Sequence, residues 1–95
     1  MKGQTVQKYL KITGRVQGVG FRYFTRQNAA DLNVKGWVKN MPDGSVETVI
    51  SGMPASVEEM KKRLEEGSRS ARVDQIEELS QDGITETFQD FSVRR

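Results

Sequence analysis

Three glycines and an arginine crowd one short stretch, Gly14-Arg15-Val16-Gln17-Gly18-Val19-Gly20-Phe21-Arg22. Glycine tolerates positive φ, so successive backbone N–H groups in such a stretch can converge on one point and bind an anion. An arginine beside them adds a planar fork of donors matched to phosphate or carboxylate oxygens. The chemistry open to this set is the gripping of an anion, but not through a standard nucleotide loop. The pattern G-x-x-x-x-G-K-[ST] needs lysine and a different spacing from that of Arg22. A G-x-G-x-x-G begun at Gly18 meets Tyr23 where glycine is required. The same composition also suits a plain strand-to-helix turn with Arg22 solvated in the first helical turn, and the loop alone does not separate the two readings.

What the chain lacks narrows the chemistry further. Its 95 residues contain no cysteine and no histidine. Disulfides, thiolate ligands and a cysteine nucleophile are excluded, as are phosphohistidine and phosphocysteine intermediates. The commonest metal ligands and the commonest general base are gone as well, so no metal site and no cofactor is expected. Fifteen basic against 13 acidic residues leave a net charge of +2, with a pI near 9.1. That passes a pI screen for nucleic-acid binding, but the charges are interspersed and read as a solvated surface, so no nucleic-acid partner is expected. Met1-Lys2-Gly3-Gln4-Thr5 has no apolar core of signal-peptide length, and no apolar run reaches membrane-spanning length. A cytoplasmic protein with no membrane partner is the expectation, and nothing demands more than a monomer.

The elements that must carry the glycine stretch follow from pattern. Val6 to Val16 predicts a strand with Val6, Leu10, Ile12 and Val16 on one face. Phe21 to Leu32 predicts a helix with Phe21, Phe24, Ala29 and Leu32 near one stripe and Asn28 interrupting it; Gly36 is a candidate stop. A second strand runs from Val34 to Asn40. Met41-Pro42-Asp43-Gly44 is a hairpin signal, and Ser45 to Ser51 is the returning strand. Pro54 to Glu66 predicts a second helix with Val57, Met60 and Leu64 inward and Gly67 as its stop; Ser56 with Glu59 offers an alternative capping-box start. Ala71 to Leu79 predicts a strand in which Val73 and Ile76 differ in parity, the mark of a bulge or a misplaced boundary. Ser80 to Glu86 reads as a polar loop and Phe88 to Arg94 as a last short strand. Strand, helix, strand, strand, helix, strand makes a single domain over residues 1–95: an α+β ferredoxin-like split βαβ sandwich, one mostly antiparallel sheet with two helices on one face.

In that topology Gly36-Trp37-Val38-Lys39-Asn40 ends near the glycine loop. Asparagine both donates and accepts, so Asn40 could hold a water beside a bound anion; capping the hairpin is its other reading. Taken together, the stretch 14–22 and the spaced set Gly36-Trp37-Val38-Lys39-Asn40, Gly44, Val46 and Gly52 resemble the two signature motifs of the acylphosphatases. Element order and length match too, so the resemblance covers nearly the whole chain; the C-terminal third is looser. It implies hydrolysis of the carboxyl–phosphate bond of small acyl phosphates. By this resemblance Arg22 corresponds to the phosphate-binding arginine and Asn40 to the water-orienting asparagine, the two catalytic residues. Arg15, Val16, Gln17, Gly18, Val19, Gly20 and Phe21, with Arg22, correspond to the phosphate cradle.

The chemistry is consistent with a chain that lacks histidine. A carboxylate leaving group, whose conjugate acid has a pKa of roughly 4, needs no proton from the protein. Positioning and charge stabilisation then suffice, whereas the alkoxide of a simple monoester would want a general acid or a metal. Two rivals stand beside this reading. Acylphosphatase-like domains also occur within hydrogenase-maturation proteins that handle carbamoyl phosphate, so a non-catalytic acyl- or carbamoyl-phosphate-binding module is one. RNA-recognition motifs share the sandwich and are the other, but they stack bases on aromatics of the central strands. The third strand here, Val46-Glu47-Thr48-Val49-Ile50, has none, and Tyr9 and Trp37 stand alone in the sequence.

Overall fold

A computed structural model describes residues 4–95; of the N-terminal stretch, Met1 to Gly3 lie outside the described residues. The elements run β1 (Val6–Arg15), α1 (Phe21–Leu32), β2 (Lys35–Asn40), β3 (Val46–Gly52), α2 (Pro54–Glu66), β4 (Arg72–Glu78) and β5 (Phe91–Arg94). They build one five-stranded sheet in the order β4-β1-β3-β2-β5. All pairings are antiparallel except β2 with β5, which is parallel. The first four strands and two helices form the expected ferredoxin-like sandwich, and β5 extends its β2 edge.

Both helices cover one face because the chain alternates there. Leu10, Ile12 and Val16 of β1 and its exit, Val38 of β2, and Val46 and Ile50 of β3 meet Phe21 and Ala29 of α1 and Val57, Met60 and Leu64 of α2, all buried. Val6, the first residue of the expected apolar row, stays partly exposed at the strand's start. Thr25 is fully buried in the α1 stripe, and its hydroxyl donates to the Phe21 carbonyl at 2.8 Å. Asn28, which interrupts the stripe, donates to the Phe24 carbonyl and accepts from Arg63 of α2 at 2.9 Å. A polar break in the pattern thus becomes a tie between helices.

Boundaries moved where local geometry overrode the pattern. Helix α1 ends at Asn33, in the left-handed conformation, rather than through Gly36. Gly36 belongs to β2 at φ 137°, where a Cβ would sit 1.9 Å from the Val49 carbonyl oxygen, so close strand approach explains that glycine. Helix α2 starts at Pro54, and Glu59 pairs with Arg63 at 3.2 Å instead of closing a capping box. The mismatch of Val73 and Ile76 is a real bulge: the register shifts between Thr13 and Gly14, and both residues pack on the core. Strand β5 begins only at Phe91. Phe88 precedes it in the loop.

The turn at residues 41–45 follows its sequence signal. The Gly44 N–H donates to the Met41 carbonyl at 3.1 Å and the Met41 N–H to the Ser45 carbonyl at 2.8 Å. Asp43 accepts from both the Ser45 N–H and its hydroxyl, and Lys11 lies 2.8 Å from its other oxygen. Lys11 first, then Ser45, holds the Asp43 carboxyl well below the usual carboxylate range.

On the face away from the helices, Tyr9 and Trp37 pair the same β3 residue, Val49. Their rings meet edge to face with centroids 5.8 Å apart. They are therefore not isolated, as the sequence alone suggests. Trp37 is buried, and the Tyr9 hydroxyl donates to Glu47, so neither ring is a free stacking platform.

Candidate active site

The chain leaves β1 at Arg15 and reaches α1 at Phe21, and in between it must reverse direction within a few residues. Gly18 and Gly20 adopt φ of 74° and 76°. A Cβ on Gly20 would meet nothing within 4 Å, so backbone conformation and not space calls for glycine there. Gly20 is the N-cap of α1, and no side chain caps that helix. Its carbonyl accepts from the Phe24 N–H at 3.0 Å. The amides of the first turn keep their donors and the positive end of the helix dipole available on that side.

A cleft of about 350 Å³ opens at this helix start. Val16, Gly18, Gly20, Phe21 and Arg22 line it from the loop and helix, and Asn40 from the end of β2. Tyr23 and Arg26 of α1 and Val93 of β5 complete the wall. Two guanidinium groups and no carboxylate line it among the described residues, which gives the cleft a positive lining.

The Arg22 side chain is half-buried, and its Nη1 donates to the carbonyl oxygen of Arg94 at 3.1 Å. Arg94 is itself held from two sides. Its guanidinium lies 4.8 Å from the centre of the Trp37 ring and 3.4 Å from Glu86. The anchor of Arg22 is thus tied through the sheet to its other face.

Asn40 is the last residue of β2, opposite Val46. Its Oδ1 is buried without a hydrogen-bond partner among the described residues. Leaving such an acceptor unmatched costs on the order of 1–3 kcal/mol, so native proteins keep few of them. This one sits on a residue that lines the cleft.

Of the anticipated cradle, Val16, Gly18, Gly20, Phe21 and Arg22 come together around the cleft, and Asn40 joins them. Arg15, Gln17 and Val19 do not line it. Arg15 ends β1 opposite Arg72, and Val19 packs on the core. Gln17 turns away and donates from Nε2 to the carbonyls of Met41 and Ser45, each at 2.8 Å. It locks the loop to the hairpin that follows Asn40, and so fixes the two halves of the site against each other. Sequence reading missed this link, as it missed Tyr23, Arg26, Val93 and the Arg94 carbonyl. Tyr23 and Arg26 had a readable signal, since they lie one residue and one turn beyond Arg22. Val93 and Arg94 had none, because their place depends on the parallel pairing of β5 with β2.

A family model described as Acylphosphatase matches residues 8–93. An acylphosphatase of Salinibacter ruber is 46% identical over 85 residues, which cover 90% of this chain and 88% of that one. The crystal structure of the Bacillus subtilis acylphosphatase superimposes with a TM-score of 0.87 at 33% identity, covering 97% of this chain and 100% of that chain. Full-length HypF in its phosphate- and nucleotide-bound form also matches, with a TM-score of 0.83 at 26% identity, but the match covers only 12% of HypF.

Proposed function

Because the chain belongs to the acylphosphatase family of hydrolases, we propose that it cleaves the carboxyl–phosphate bond of small acyl phosphates by direct attack of water held by Asn40. The observation that carries this reading is the convergence of Gly18, Gly20, Arg22 and Asn40 on one cleft from a loop, a helix and the end of a separate strand. The loop amides, the start of α1 and Arg22 grip the non-bridging phosphoryl oxygens, where charge sits in the transition state. The donation from Nη1 to the Arg94 carbonyl holds the guanidinium in place and leaves its other donors for the anion. The unmatched Asn40 Oδ1 accepts a hydrogen bond from the attacking water and sets its approach. The water oxygen bonds to phosphorus as the bond from phosphorus to the acyl oxygen breaks. The electron pair leaves on the carboxylate, which is stable unprotonated at neutral pH. The water proton passes to a phosphoryl oxygen, so no side chain acts as general base, and the products are carboxylate and inorganic phosphate.

Purified protein given acetyl phosphate tests this reading. Steady consumption, inhibited competitively by inorganic phosphate, is expected, with little activity on an alkyl phosphate monoester. Equal turnover of the monoester overturns the mechanism. The match to a small part of HypF favours a second reading, a non-catalytic module that binds acyl or carbamoyl phosphate. Binding of acyl phosphate without turnover would select it.

A further inference from the structure

Gln17 sits in the loop between β1 and α1 but does not line the cleft. Its carboxamide has two N–H hydrogens, and Nε2 directs them to the carbonyls of Met41 and Ser45, each at 2.8 Å. Those carbonyls stand at the two ends of the turn that follows Asn40. Among the described residues no backbone hydrogen bond joins residues 16–20 to residues 41–45, so this one amide is the hydrogen-bonded tie between them. Each carbonyl also accepts within the turn, that of Met41 from the Gly44 N–H at 3.1 Å and that of Ser45 from the Met41 N–H at 2.8 Å. A carbonyl oxygen has two lone pairs, so Gln17 fills the second place on each, and its removal orphans neither acceptor. Asp43 braces the turn further through Ser45 and Lys11. The turn therefore keeps its shape without Gln17. What the amide fixes is where the turn stands against the loop.

Asn40 is the residue whose place that decides. It ends β2 on the same face as Val38, which is buried beneath the helices. Its Oδ1 accepts nothing among the described residues, so that oxygen is aimed by the backbone that carries it. The loop has holds of its own: Val16 is buried, Val19 packs on the core and Gly20 opens α1. We infer that the Gln17 side chain is a positioning residue for the hydrolysis, which sets the distance and angle of Asn40 to the loop without touching substrate. The inference rests on the reading given under Proposed function, since it takes the task of Asn40 from it. A displacement of about 1 Å in a reacting group costs about a hundredfold in rate. A strand end released from its clasp needs only part of that shift to slow attack by water, while the loop amides and Arg22 still hold the anion.

The test uses Gln17→Met, which keeps the length of the side chain and removes both donors. Urea unfolding should stay cooperative with a midpoint close to that of the unaltered protein; a variant that no longer folds shows Gln17 to be a fold contact and overturns the inference. With acetyl phosphate, kcat is expected to fall about tenfold. The inhibition constant of inorganic phosphate should stay within about twofold, because ground-state binding of the anion is untouched. Weakened phosphate binding in step with kcat would place the effect of Gln17 in the loop and overturn the inference. The decisive comparison adds Gln17→Met to Asn40→Ala, where it should cost at most about twofold more in kcat, since a residue acting through Asn40 has nothing left to position. A second tenfold loss there overturns the inference. Independently of turnover, 15N relaxation of the Asn40 side-chain amide in the free protein should show an order parameter that drops below about 0.6 in Gln17→Met. That drop in a protein that does not hydrolyse acetyl phosphate would sink the catalytic reading and keep the clasp on Asn40. Turnover with an Asn40 amide and a kcat both indifferent to Gln17 would do the reverse.

Discussion

In the first strand–helix–strand unit the chain travels from Val16 to Gly20 between β1 and α1; in the second, Met53 alone joins β3 to α2. Neither helix has a side-chain cap, but the two starts differ in what they leave open. The long connection takes left-handed turns at Gly18 and Gly20 and opens a cleft beside the first turn of α1. The short one places Pro54 at the first helical turn, which removes a donor. Val57, Met60 and Leu64 of α2 are then fully buried. Two units of one plan thus share the core, but the cleft opens in the one with the loose connection.

Removing Arg22 is the severest way to break this contrast. Arg22→Ala is expected to lower kcat/KM for acetyl phosphate about a thousandfold or more, as loss of a principal transition-state donor does. Inorganic phosphate should cease to inhibit. Arg22→Lys should recover little, because a point charge does not replace a planar fork. If the alanine variant keeps most of its activity, the α1 start suffices alone and the cleft has been misread. In the other unit, Leu64→Ala should cost about 3 kcal/mol in denaturant unfolding, by transfer plus cavity. The folded protein should still be inhibited by phosphate with unchanged affinity; a lost phosphate site would mean that the two units are not separable.

Asn40→Ala sharpens the roles within the first unit. Turnover should fall about a hundredfold, while competitive inhibition by phosphate stays nearly intact. Loss of phosphate affinity with turnover retained would reverse the assignment. The smallest effect concerns the seam, where Tyr9 of β1 reaches Glu47 of β3. That hydrogen bond first, then burial and the nearby negative charge, pushes the Tyr9 hydroxyl up to about 12 from 10.0. The folded state therefore holds this proton more tightly than the unfolded one. Its stabilisation is complete below pH 10 and fades as pH rises toward 12. Tyr9→Phe should flatten the loss of stability across that window, measured by urea unfolding at fixed pH. An identical slope in the variant would show that the seam does not titrate.

Much of the architecture was legible because its signals are local. Alternation in Leu10 and Ile12, the spacing of Val57, Met60 and Leu64, and the turn residues Pro42, Asp43 and Gly44 act through neighbours a few positions away. Both helices lie where periodicity put them. The glycine stretch and Asn40 were legible in a different way, through their likeness to two family motifs; composition alone left the loop open between an anion site and a plain turn. Less visible were the contacts that cross the sheet. Tyr9 and Trp37 look solitary until β3 brings both against Val49. Gln17 looks like one more loop residue until its amide reaches the carbonyls of Met41 and Ser45.

The chain by itself determined which backbone shapes were available and which functional groups existed. It supplies glycine where φ must be positive, a guanidinium and a carboxamide for chemistry, and no histidine or cysteine to take another route. Tertiary structure alone decided that Asn40 lines the same cleft as Arg22 with its oxygen unmatched among the described residues, and that the Arg94 carbonyl holds the guanidinium. Propensity and pattern act over a few residues, whereas strand pairing joins positions as distant as Leu10 and Glu78 and, through β5, brings the Arg94 carbonyl to Arg22; its register is set by the burial of the whole sheet.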